Sequence, residues 1–260
     1  GRTLPPLVGN GLRFGTACLV VALIVLIRWG PRALLITRAE LRSTAIMGVA
    51  LLGVGIGTVS LAERYVPSGV VALLVAVMPL WIILFRVRAG ERPAGLTLVG
   101  VAVGLAGLVF MLLPGGTEPV AGDDRDVVIW SVAILVSSFS WAFFSWRSAG
   151  YSLPGNPMVT TTYEMAFAAA ALVVVGTVTG ERVQLELIDP SSFGAMAWLV
   201  TASVVGYTAY TWLIRNAPMS LVATYAYVNP VVAVFLGWLI IREPIPRDVV
   251  LGLTVAVGGG

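Results

Sequence analysis

Two charged side chains sit where lipid-facing sequence should carry none. Arg13 and Glu164 are the ionisable residues placed well inside long apolar runs, and they stand 151 positions apart. Each lies about 9 Å along its segment from the entry point, at 1.5 Å per residue of helix. A charge at that depth is costly unless it faces a wet cavity or a partner, so both mark a pathway for polar matter. Snorkelling is the competing reading for Arg13, whose long side chain can reach an interface. Asn10 precedes Arg13 by one helical turn and Thr161 precedes Glu164 by the same spacing, giving each segment a small polar face. Further polar stripes follow at helical spacing: Ser137, Trp141 and Ser145; Tyr207, Tyr210 and Thr211; Tyr225 and Asn229. Taken singly, each of these hydroxyls is most simply an interhelical hydrogen bond. Their convergence on the second half of the chain is what points to a lopsided cavity.

The expected chemistry is recognition rather than catalysis. A carboxylate among tyrosines and tryptophans suits an amine-bearing small molecule, through charge pairing and cation–π contact. Arg13 could meet a carboxylate at another level, so the expected cargo is a zwitterionic or cationic metabolite such as an amino acid or amine. Because His is absent, Glu164 is the candidate for proton coupling, a carboxyl able to alternate between neutral and ionised forms as its surroundings change. An intramembrane enzyme would need a nucleophile–base or paired-carboxylate constellation, which one Glu without His does not supply. Cys18 stands alone in the sequence, so neither a disulfide framework nor a metal site is expected, and no cofactor is implied.

The elements that must hold these residues are apolar helices. With 58% hydrophobic and 11% charged residues and a mean hydropathy of +0.95, the chain has too little polar surface for a water-soluble domain. All 16 basic residues are Arg, which beside heavy Ala, Val and Gly usage hints at a GC-rich bacterial genome. The pI near 9.4 is not a nucleic-acid signal, since the arginines sit between apolar runs without a basic, aromatic-interleaved cluster. Nine apolar segments are legible: Leu7–Ile27, Ser43–Ala62, Ser68–Phe85, Ala94–Leu113, Val127–Trp146, Met158–Val178, Phe193–Ile214, Met219–Ile241 and Asp248–Gly260. They lack the alternation of a barrel, which leaves an all-α polytopic bundle. No cleavable signal pattern precedes the first run, and the last, ending on three glycines, is too short to span.

The pattern also repeats. Pro6, Arg64, Pro67, Val71, Ala72, Val77 and Pro79 recur 151 positions later as Pro157, Arg215, Pro218, Val222, Ala223, Val228 and Pro230. Such duplication is how many secondary transporters are built. Pro79 and Pro230 are expected to kink matching helices. One alternating set of connections carries Arg28, Arg32, Arg38, Arg42, Arg86, Arg88, Arg92, Arg147 and Arg215 against Glu40 and Glu91. The other carries Asp123, Asp124, Asp126, Glu181, Glu186 and Asp189 among its acids. The arginine-rich set should be cytoplasmic. Nine spans then start outside, which a missing first helix would explain: ten in all, five per half, the halves inverted. The halves are expected at 1–114 and 127–260, joined by an external linker at 115–126. Inversion should put Arg13 toward the outer face and Glu164 toward the inner face, offset by about 10 Å in a core of about 30 Å.

At this point the residues resemble a known family. LAERYVPSGVVALLVAVMPLWIILFRVRAGERP followed by GLTLVGVAVGLAGLVFML is similar to the third-to-fifth-helix region of the EamA family, in the drug/metabolite transporter superfamily. LIRNAPMSLVATYAYVNPVVAVFLGWLIIREPIP is similar to the same region of the other half, and LPPLVGNGLRF to the second helix. The resemblance implies ten helices, both termini cytoplasmic, and export of small metabolites, often amino acids. The family's first helix, with its Trp-Gly, is missing and its tenth is cut short, and both normally help to line the path. The leading expectation is therefore an inner-membrane exporter working by alternating access, with lipid, a small-molecule cargo and a proton as its partners. Uptake or facilitation is one alternative, and a membrane receptor or scaffold another. Connections of about 5 to 15 residues leave no room in this sequence for a signalling domain.

Overall fold

In a computed structural model the chain is all helix and turn among the described residues, which are 4–92, 95, 98–103, 106, 119–183, 190–223, 225 and 232. The helices are α1 (Pro6–Trp29), α2 (Arg38–Ala62), α3 (Ser68–Val75), α4 (Met78–Arg88), α5 (Asp124–Arg147), α6 (Pro157–Val178), α7 (Pro190–Asn216) and α8 (Met219–Ala223). Six helical stretches among them are long and apolar enough to cross a membrane; α3 and α4 contribute one, Val70–Arg88. The expected spans Met219–Ile241 and Ala94–Leu113 fall largely outside the described residues, and Asp248–Gly260 falls wholly outside them, as do Asn229 and Pro230.

The helix ends follow local chemistry. Pro6 and Pro157 occupy the first turns of α1 and α6, where a missing N–H costs nothing. Thr37 and Glu40 form a reciprocal capping box on α2, and Asn156 accepts from the Met158 N–H at 2.9 Å on α6. The last eight residues before Gly57 in α2, Val49–Ile56, are wound as π-helix. Ahead of Pro79 the chain breaks into a turn at Ala76–Val77 between α3 and α4. The proline ring has no N–H to give and would collide with the carbonyl four residues back.

Burial is inverted relative to a water-soluble protein. Leu19 and Ile27 of α1 are 71% and 74% exposed, whereas Thr44, Thr161, Glu164, Ser203 and Thr211 are buried. Apolar surface outside and polar groups inside is the arrangement lipid selects.

The chain divides into two compact units, Gly1–Leu61 with Arg147–Ala217, and Ala62–Trp146 with Pro218–Gly260. The first takes α1 and α6, which correspond at the 151-residue offset, and packs them along their length. A Cβ added at Gly11 would lie 3.2 Å from the Ala169 carbonyl oxygen; one at Gly176 would lie 2.7 Å from Val8. Low numbers on one helix thus meet high numbers on the other, so the two run antiparallel, as inverted repeats require. Glu181, just past α6, accepts from the N–H groups of Leu7 at 3.0 Å and Val8 at 2.9 Å and so caps α1. Glu181→Ala should lower stability by about 1–2 kcal/mol; a thermal melt in detergent unchanged from the parent would contradict that role.

The second unit is built on Met78, Ile82, Phe85 and Ala142, wrapped by Trp81, Trp141, Phe143, Trp146 and Tyr225. Phe85 and Phe139 meet edge to face with centroids 5.2 Å apart.

Candidate functional site

One face of α7 organises the polar interior of the first unit. Ser203, Tyr207, Thr211 and Arg215 recur every four residues, so they share a stripe. Each reaches a different partner. Arg13 of α1 donates through Nε to Ser203 Oγ at 2.6 Å and through Nη1 to Asn10 Oδ1 at 3.3 Å. Asn10 in turn donates to Ser60 Oγ of α2 and to the Pro6 carbonyl, both at 2.8 Å. One turn further along α7, the Tyr207 hydroxyl donates to Glu164 Oε2 at 2.9 Å. Thr211 and Thr161 share a hydrogen bond of 2.9 Å.

Glu164 is 1% exposed, and its second oxygen, Oε1, has no hydrogen-bond partner among the described residues. An unpaired polar atom buried in this way costs about 1–3 kcal/mol, more if it carries charge, and persists where something else is meant to meet it. The Tyr207 ring, whose hydroxyl meets Glu164, stacks on Tyr210 of the same helix with centroids 5.9 Å apart. The arrangement offers one acceptor with an aromatic flank, which is what an ammonium group or a proton needs.

The backbone brings α2 unusually close at this level. A Cβ on Gly48 would stand 2.7 Å from Glu164 Cα and 2.8 Å from its carbonyl carbon, so only glycine lets the helices meet. The π-wound stretch of α2 begins at the next residue, and π-helical insertions are frequent at functional sites.

Of the residues singled out from sequence, Asn10, Arg13, Thr161, Glu164, Tyr207 and Tyr210 lie together in the first unit. Arg13 and Glu164 bond to different residues of α7, Ser203 and Tyr207, separated by one turn or about 6 Å of helix rise. Ser137, Trp141 and Tyr225 lie in the second unit. There Ser137 is buried, Trp141 packs on the aromatic core with its carbonyl accepting from Ser145, and the Tyr225 hydroxyl points to Met78 Sδ at 3.4 Å. Ser203, Ser60, Gly48 and Arg215 went unread as site residues. Ser203 carried a usable signal, since it stands four residues before Tyr207 on the stripe already recognised.

The profile of the EamA-like transporter family matches residues 1–113 and 128–259. The chain is 37% identical over 235 residues to an Escherichia coli (strain K12) protein named as an uncharacterized inner membrane transporter, YedA, covering 90% of this chain and 73% of that one. It is 24% identical to the uncharacterized transporter YyaM of Bacillus subtilis (strain 168), covering 95% of this chain and 80% of that one. A solved crystal structure shares the fold with a TM-score of 0.77 at 21% identity, covering 98% of this chain and 87% of that one. With both halves of the chain matched by one family profile, and a helical interior built around a buried carboxyl, this protein belongs to the EamA-like transporter family and is a multi-pass membrane transporter of the drug/metabolite transporter superfamily.

Proposed function

We propose that the protein exports a small amine-bearing metabolite, an amino acid or amine, across the inner membrane in exchange for protons that load on Glu164. The observation that carries this reading is the buried Glu164 carboxyl with Oε2 held by Tyr207 and Oε1 unpartnered. Proton and ammonium compete for the same oxygen, so each displaces the other and their movements become linked. Tyr207 and Tyr210 flank the ammonium, Thr161 supports the same face, and Arg13 with Asn10 receives an anionic group. Ser137, Trp141 and Tyr225 of the second unit are further candidates for cargo contact, as is Asn229, which lies outside the described residues.

The working architecture is ten helices in two inverted halves, 1–114 and 127–260 about a 115–126 linker, of which this chain carries nine spans. The antiparallel pairing of α1 with α6 supports it, and the name of the Escherichia coli relative supports an inner-membrane location. The bend ahead of Pro79 gives its half a flexible point for alternating access.

Purified protein in proteoliposomes, screened with amino acids and simple amines under an imposed proton gradient, tests the reading. Export coupled to protons is expected. Accumulation of amines with no response to the gradient would make the protein a facilitator and remove the role given to Glu164. Tyr207→Phe should keep the fold but weaken proton-coupled flux by roughly 10- to 100-fold, the worth of one hydrogen bond to a charged group. Flux equal to the parent's would exclude Tyr207 from the site.

A further inference from the structure

Arg215 has no part in the cargo site, yet it makes three side-chain hydrogen bonds from the α7 stripe. Its Nη1 donates to the Pro154 carbonyl at 2.6 Å and the Gly155 carbonyl at 3.4 Å, and its Nη2 donates to Thr160 Oγ1 at 2.8 Å. Along α7 the bonded residues run Tyr207, Thr211, Arg215, while their partners on α6 run back toward its start as Glu164, Thr161, Thr160. The two helices close as a seam over Glu164, and Arg215 is the last rung. Its planar fork is suited to gathering several oxygens at once, here the Pro154 and Gly155 carbonyls of the turn that leads into α6 and the Thr160 hydroxyl. The charges of Arg215 and Glu164 also act on each other.

We propose that Arg215 is the positioning residue that closes the Glu164 site at the α6 entry, and that neutralising Glu164 releases it. While Glu164 is ionised, its field draws the guanidinium toward the seam through a medium of low dielectric. A proton or an ammonium on Oε1 cancels that field, leaving only the neutral oxygens of the turn and Thr160 to hold the rung. The last bond of the seam thereby reports the occupancy of the site to the end of the helix pair from which the site is reached. The opposite end of the same unit is held by another device, the Glu181 cap on Leu7 and Val8, and so serves as an internal control.

The test is thiol accessibility of the full chain in lipid nanodiscs, at a pH alkaline enough to ionise Glu164 in the parent, with Cys18 replaced by Ala and a reporter introduced as Thr161→Cys or, separately, Val8→Cys. A charged, membrane-impermeant thiol reagent reads how often each position opens. Arg215→Gln should speed labelling at position 161 by at least about 10-fold, one decade in the opening equilibrium. Arg215→Lys should restore part of the protection, and Glu164→Gln should speed labelling in the same way as Arg215→Gln. Labelling at position 8 should stay within about twofold of the parent. Unchanged labelling at position 161, or equal acceleration at both ends, would overturn the proposal. If Arg215→Gln does not accumulate as folded protein, the Glu164→Gln arm decides alone: no acceleration there overturns it. The assay contains no cargo, so it stands or fails apart from amine export.

Discussion

Glu164→Gln should reduce proton-driven transport by about 100-fold or more and leave the remaining flux flat against pH. Breaking a buried charge pairing costs about 3 kcal/mol or more, which is roughly two decades in a binding equilibrium. The amide is nearly isosteric and can still accept from Tyr207, so the fold should survive even though the Arg215 rung of the seam loosens. What is lost is the group that takes up a proton on one side and gives it back on the other. In the parent, efflux should rise with an inwardly directed proton gradient, because protons entering from outside displace the amine and the alkaline interior removes them again. In the amide variant the gradient has nothing to act on. Efflux measured in proteoliposomes across a range of imposed gradients reads both effects. A variant with parental slope would remove Glu164 from the coupling step.

The largest effect on stability is expected at Gly48. The atoms that an added Cβ would strike, Glu164 Cα and its carbonyl carbon, belong to the backbone of α6 and cannot swing aside as a side chain can. Overpacking of this kind costs about 1–3 kcal/mol for one methyl group and more for a branched side chain. Gly48→Ala should therefore lower the melting temperature in detergent by several degrees, and Gly48→Val should largely prevent folding. Gly15 is the matched control: a Cβ there would meet Ala169 Cβ at an ordinary 3.8 Å, so Gly15→Ala should melt with the parent. Equal melting of all three proteins would mean that α2 and α6 are not in contact through Gly48. Because the same contact sets the height of Glu164 in its site, Gly48→Ala should also weaken transport beyond its loss of folded protein.

Arg13 and Glu164 were legible in the sequence because a charge inside an apolar run has few cheap explanations. Their shared offset of 151 residues made each the counterpart of the other, and the pairing of α1 with α6 carries that offset into packing. The register of the pairing was not legible. It is set by Gly11 against Ala169 and Gly176 against Val8, and small residues are too common in membrane helices to single out a contact. Ser203 was hidden for a related reason: a lone serine in a span can satisfy itself on the preceding turn, and here it does so on Leu199 while also accepting from Arg13. The role of Arg215 was masked by its position at a helix end, where an arginine reads first as a topology signal. The compact units, too, follow packing rather than chain order, since each draws segments from either side of the linker. Helix pairing at a distance leaves no mark in local periodicity.

Proton release on ligand binding tests the shared Glu164 site most directly. Purified protein in weakly buffered detergent solution, at a pH acid enough to keep Glu164 protonated before binding, should liberate close to one proton per amine bound when titrated with each amino acid and amine that the flux screen identifies, and Glu164→Gln should liberate none. Saturable binding with no proton released, or equal release from the Gln variant, would contradict a carboxyl contested by proton and ammonium.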